Sequence, residues 1–226
     1  TPSIYSVSLH VALPISKKKE LIGNFKNAGR VWRNQSCDVA DHDFPSYASA
    51  KIIPYGIYDT IANEGAVYIG LSHDTAAFAV DSICAWWKKY GSQRYPHARR
   101  ILILADNGGS NSPSNAAWQY HLWHDFCQQY RLKVTICHYP AGASKWNPIE
   151  HRLFSEISKN WAGVPLINLQ TALKYIRTTK TEPGLKVTAT LNRKYYSLKE
   201  RVPDELQAQV LINCYHRFPK LNYTLY

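Results

Sequence analysis

Methionine does not occur in this 226-residue sequence, position 1 included, so the chain reads as a fragment without its natural start. Paired cysteines are also missing. The five present (Cys37, Cys84, Cys127, Cys137, Cys214) are odd in number and form no CxxC. That pattern argues against a zinc ribbon or a disulfide framework and fits a reducing, cytoplasmic compartment. No apolar run approaches the roughly 18 residues needed to span a bilayer. The apolar stretch IYSVSLHVALPI (4–15) has no basic region before it, so a secretory signal is not expected either. Among the histidines no HExxH spacing occurs, and no GxSxG elbow frames a serine nucleophile. Acidic residues are scarce, with 16 Asp and Glu against 27 Lys and Arg and a net charge of +11. An excess of that size favours an anionic partner, and nucleic acid is the commonest soluble one.

The sequence that is present has the composition of a globular protein, 45% hydrophobic and 13% aromatic. IYSVSLHVALPI is expected to form a strand, and KKELIGNF (18–25) has β-type composition. Residues 26–60, rich in Asn, Asp, Gly, Pro and Tyr, read as an irregular insertion with short extended pieces such as KIIPYGIYD (51–59). AVYIGL (66–71) is a strand, and TAAFAVDSICAWWKKY (75–90) is an amphipathic helix for which Asp74 is a natural N-cap. RILILAD (100–106) reads as a buried strand, SNAAWQYHLWHDFCQQY (114–130) as a helix and LKVTICHY (132–139) as a strand. PIEHRLFSEISKNW (148–161) and INLQTALKYIRTT (167–179) read as helices. The tail is expected to hold a hairpin at 184–191 and a helix at 204–215. The alternation describes a three-layer α/β domain with a mixed sheet. Its core is expected to end near residue 163, leaving 164–226 as a basic C-terminal extension.

Two carboxylates stand out. Asp106 ends the run ILILAD and opens the turn Asn107-Gly108-Gly109-Ser110-Asn111, whose glycines permit close approach of backbone to a phosphate. An acid just past a strand's carboxyl end sits where α/β folds place ligands. Glu150 lies 44 residues later, at the third position of a helix that Asn147 caps and Pro148 opens. From local sequence alone Asp106 also reads as an ordinary turn residue, and Glu150 as half of a capping box. Hard oxygen ligands at these positions suit Mg²⁺ or Mn²⁺, and two such ions can drive phosphodiester chemistry. Around Glu150, Lys145, Trp146 and Arg152 are basic and aromatic, as a DNA-contacting rim would be, or else a solvated face.

These residues sit in segments that resemble the ISAzo-type insertion-sequence transposases, a DDE family with a ribonuclease-H-like catalytic core. The matching segments are KKKELIGNFKNAGR (17–30), HDFP (42–45), PYGIYDTIANEGAVYIG (54–70), HDTAAFAVDSICAWW (73–87) and LILADNGGSN (102–111). The longest is CHYPAGASKWNPIEHRLFSEISKNWAG (137–163). The resemblance implies a core that cuts and joins DNA with two Mg²⁺ or Mn²⁺ ions. Asp106 and Glu150 would be the second and third catalytic, metal-binding acids. Transposon ends and target DNA would be the partners, bound by a homo-oligomer in the bacterial cytoplasm.

The resemblance also exposes a departure. The family's first-strand Asp, followed by Thr, leads straight into Lys-Lys-Lys-Glu, but here Ile15 and Ser16 precede Lys17-Lys18-Lys19-Glu20. No acid occurs in residues 1–19, and isoleucine offers no lone pair to a cation. Two origins are open for SLHVALPI (8–15): a translated adapter remnant joined to a truncated frame, or a first strand that has drifted. The family's N-terminal DNA-recognition region is expected upstream of residue 1. Two further readings stay open beside an inactive transposase core, a catalytically dead nucleic-acid-binding domain and a cellular ribonuclease-H-like nuclease.

Overall fold

A computed structural model describes residues 10–32, 34–198 and 200–226. The expected first strand is therefore seen from His10 onward, and its residues 4–9 lie outside the described chain. In chain order come β1 (His10–Ser16), β2 (Glu20–Ile22), β3 (Ala50–Asp59) and β4 (Glu64–Gly70). Helix α1 (Ala76–Trp86) widens into a π-helical turn, Trp87–Gly91, and closes with α2 (Ser92–Arg94). Then follow β5 (Arg100–Ala105), α3 (Ala116–His121) with a π-helical continuation Leu122–Gln128, and β6 (Lys133–His138). A π-helical turn, Glu150–Phe154, runs into α4 (Ser155–Asn160) and is followed by α5 (Leu169–Arg177). The chain ends with β7 (Lys186–Asn192), α6 (Asp204–Gln207), β8 (Ile212–Cys214) and β9 (Asn222–Leu225).

The strands form one mixed sheet in the order β7-β4-β3-β1-β5-β6-β9-β8, with β2 paired to β3. At its centre β1 runs parallel to β5 and antiparallel to β3. The sheet separates two apolar layers, as a three-layer α/β fold requires. On one side Tyr55, Phe78, Ile83, Trp118 and Phe126 bury α1 and α3 against it. On the other, Leu13, Ile15, Leu153, Phe154, Ile157 and Ile176 hold α4 and α5. Alternation along β1 sends Ala12 to the first layer and Leu13 and Ile15 to the second.

Several expectations change on folding. KIIPYGIYD is not a piece of an irregular insertion. It lies within the ten-residue β3, paired to β4 from Ile53 to Asp59 and to β2 before that, and buried over most of its length. The Pro and Gly that suggested a loop are accommodated here: Gly56 has no side chain where the ring of Phe154 arrives, 2.6 Å from a would-be Cβ. The tail expected as a hairpin is a single strand, β7, parallel to β4. The expected helix over 204–215 stops at Gln207, and its second half is the edge strand β8. β9, unforeseen, pairs antiparallel with β6. Residues 164–226 thus supply both outer edges of the sheet, since β7 and β8 end the strand order.

Candidate active site

The parallel β1–β5 register pairs Ala12 with Ile103, and continuing it three residues brings Ile15 level with Asp106. β5 ends at Ala105, so Asp106 stands just beyond the carboxyl end of the strand. Its Oδ1 accepts a 3.1 Å hydrogen bond from Asn111 Nδ2, while Asn111 Oδ1 accepts one of 2.9 Å from the Tyr55 hydroxyl. Asn111 is fully buried, so the turn Gly109–Asn111 is pinned from below. Gly109 takes φ +57, a conformation that favours glycine. Burial pushes the Asp106 carboxyl up to about 6, and the charges of Asp74 and Glu150 push the same way against the Asn111 bond.

Glu150 arrives from the opposite layer. Asn147 caps its helix as expected: Asn147 Oδ1 accepts from the Ile149 amide at 3.4 Å, and the Asn147 carbonyl accepts from the Glu150 amide at 3.1 Å. Ile149, Leu153 and Phe154 anchor that turn in the core, which leaves half-buried Glu150 at the sheet's end. Lys17 lies between this helix and the end of β1. Its ammonium reaches Ser158 Oγ at 2.8 Å and sits 5.2 Å from the ring centre of Phe154. Burial pulls the Lys17 pKa down, against the opposing charges of Glu20 and Glu150. Where the family's first acid is expected, Ile15 is a core residue, 3% exposed.

Of the expected rim, Lys145 and Trp146 are exposed on a short turn just before the helix, with the Lys145 ammonium 5.2 Å from the centre of the Trp146 ring. A ring nitrogen of His151 bonds the Lys145 carbonyl and ties that turn to the helix. Arg152 is exposed one residue further on. His138 packs beneath Asp106, with Nδ1 2.9 Å from its main-chain carbonyl.

One acid was misread from sequence. Thr75, not Asp74, caps α1, because Thr75 Oγ1 accepts from the Phe78 amide at 3.2 Å. Asp74 is released to point elsewhere: its Oδ2 accepts a 2.7 Å bond from Ser16 Oγ, at the end of β1. Its Oδ1 is buried with no hydrogen-bond partner among the described residues. An Asp-Thr pair before a helix offers two capping residues in tandem, and only the fold selects between them.

Carboxylates with unspent oxygens suit a hard divalent cation, and the orphaned Asp74 oxygen beside Asp106 fits one. Among the described residues, however, no group of three or more His, Cys, Asp or Glu side chains lies close enough to hold a single ion. No described helix is long and apolar enough to cross a membrane.

The sequence model of one family, the Rhodopirellula transposase DDE domain, matches residues 11–226. Of the curated proteins, none matches. Among solved structures, the Mos1 transposase paired-end complex with left transposon end is similar at TM-score 0.50 and 15% identity, over 74% of this chain and 46% of that one. The Mos1 mariner paired end complex with Mn aligns over the same shares at 14% identity and TM-score 0.46. The first of these likenesses bears out the ribonuclease-H-like α/β fold with its mixed sheet. The chain spans less than half the length of the solved transposase it resembles.

Proposed function

The chain belongs to the DDE transposase family that the Rhodopirellula model describes, and from that membership we propose that it is the catalytic domain of an insertion-sequence transposase in which strand cleavage and strand transfer have been lost. The observation that carries this reading is the contrast at the sheet's end. Asp106 and Glu150 arrive there from β5 and from the helix, while the neighbouring position on β1 is a buried isoleucine.

In the intact arrangement three acids would hold the metals. When bound, two divalent ions activate the attacking water and offset charge on the leaving oxygen. This chain's residues account for the rest. Asp106, fixed through Asn111 and Tyr55, and Glu150, fixed by its capped helix, present carboxylate oxygens without further rearrangement. Arg152 stands on the helix that delivers Glu150, and Lys145 and Trp146 on the turn just before it, so phosphates and an unstacked base held there would meet the acids. DNA, both transposon end and target, is the partner this rim suits. The net charge of +11 supplies the sequence-independent part of the attraction. Assembly as a homo-oligomer on paired ends belongs to the same reading.

A Mg²⁺-dependent nicking and strand-transfer assay on transposon-end DNA tests it. The chain as it stands is expected to give no product. Product that disappears in Glu150→Gln would refute the claim of lost activity.

The buried Ile15 also favours a second reading, a nucleic-acid-binding domain of a decayed element that no longer performs chemistry. Duplex binding that weakens steeply with salt, with no cutting even in Ile15→Asp, would select it. A preference for RNA–DNA hybrids over transposon ends would instead favour a cellular nuclease.

A further inference from the structure

We propose that Asp74 and Asp106 together seat one divalent cation of the Mg²⁺ or Mn²⁺ class, Asp74 supplying from the loop after β4 the carboxylate that β1 does not offer. The idea rests on the transposase reading only for the expectation that Asp106 is a metal ligand.

Three placements argue for it. The first is proximity. A Cβ added at Gly108 would lie 3.7 Å from Asp106 Oδ2, and one added at Gly109 would lie 3.4 Å from Asp74 Oδ2. Both carboxylates therefore lie over consecutive glycines of one turn, each within van der Waals reach of where a Cβ would stand. The second is location. Ser16, the residue after Ile15, donates to Asp74 Oδ2 at 2.7 Å, so Asp74 is held at the exit of β1, beside the position where the family's first acid is expected. The third is an unmet need. Among the described residues Asp74 Oδ1 is buried with no donor, and it is not used to cap α1. A buried carboxylate oxygen without a donor is costly, and a cation relieves that cost directly. In the same turn Ser110 is 2% exposed and its hydroxyl has no partner among the described residues.

Two carboxylates are enough for such a seat. Mg²⁺ keeps several waters and is commonly bound through one or two carboxylates together with substrate phosphate. That agrees with the finding that, among the described residues, no three such side chains converge on a single point.

Mn²⁺ binding to the whole chain, followed by the electron paramagnetic resonance signal of the free ion, tests the proposal without any need for catalysis. The expected result is one bound Mn²⁺ whose affinity falls at least tenfold in Asp74→Asn and in Asp106→Asn, and is unchanged in Glu205→Gln on exposed α6. Asp74→Cys adds a readout that a purely structural role would not move. A thiolate is a softer ligand, so Mn²⁺ binding should weaken while one equivalent of Cd²⁺ beyond the wild-type number binds, visible as sulfur-to-cadmium absorption. If Asp74→Asn does not fold, the cadmium result decides alone.

No Mn²⁺ bound by the wild-type chain, or an unchanged affinity in Asp74→Asn, overturns the proposal. So does the absence of the extra Cd²⁺ in Asp74→Cys. Loss of binding in Asp106→Asn alone also overturns it, while leaving Asp106 as a ligand. Preference for transposon-end DNA over an RNA–DNA hybrid, measured by binding to the same protein, tests the transposase reading separately, so either idea can fail without the other.

Discussion

His138 Nε2 and the Tyr223 hydroxyl lie 3.1 Å apart, and this contact joins the last strand of the chain to the site. Trp118 Nε1 donates to the same hydroxyl at 3.0 Å, so the one phenolic proton goes to His138 Nε2. Nδ1 of His138 then carries hydrogen and donates to the Asp106 carbonyl. Every member of this buried relay is satisfied with a neutral imidazole. Tyr223→Phe would leave the Trp118 donor and the His138 acceptor unpaired in the core. The expected loss is about 1–3 kcal/mol in urea unfolding; an unchanged midpoint would show that the relay contributes nothing.

His121 makes a pH-dependent clamp. Its Nδ1 lies 2.8 Å from Asp125 Oδ2, and its Nε2 lies 3.0 Å from Glu200 Oε1 on the C-terminal segment. Only the imidazolium donates at both nitrogens. The Asp125 hydrogen bond, with help from Glu200 and against burial, raises the His121 pKa above its ordinary value. A raised folded-state pKa stabilises fully below the unfolded value, near 6.5, and that stabilisation is lost as pH rises through the folded value. The stability difference between wild type and His121→Gln should therefore shrink from pH 6 to pH 8.5. A difference that is constant or growing over that range would rule out the charged clamp.

Gly65→Ala should disturb the site from a distance. A Cβ at Gly65 would fall 2.3 Å from Leu153 Cδ1, on the helix that carries Glu150. The helix must move off the sheet or Leu153 must leave its rotamer, at a cost of about 1–3 kcal/mol. Thermal melting measures the cost. A crystal structure of the variant should show Glu150 displaced, and an unmoved helix would mean that Leu153 alone gives way.

Ile15→Asp restores an acid where β1 meets Asp106. Without cations it places a carboxylate in an apolar site 3% exposed, and a loss of about 3 kcal/mol or more is expected. Millimolar Mg²⁺ should recover part of that loss, stabilising the variant by more than it stabilises the wild type. Equal Mg²⁺ responses in both proteins would mean that residue 15 does not reach the metal position.

The sequence by itself determined the elements with strong local signals. β5 announces itself as an aliphatic run, and β6 and α5 fall within the strand expected over 132–139 and the helix expected over 167–179. The candidate site was half legible for the same reason: Asp106 follows a strand and a Gly-Gly turn, and Glu150 follows Asn147-Pro148, each marked within a few residues of chain. Only the tertiary structure decided the rest. β3 was legible only as a short extended piece of a region whose Asn, Asp, Gly and Pro weaken local strand propensity, yet both flanking strands hold it as a full central strand. β8 and β9 are short segments whose pairing comes from a sheet edge built elsewhere in the chain. Asp74 could not be separated from an N-cap until Thr75 was seen to fill that role and Ser16, 58 residues away in sequence, was seen to hold it. Caps, turns and apolar periods are written in neighbouring residues, whereas strand partners and the surroundings of a carboxylate depend on residues brought together only when the chain closes its core.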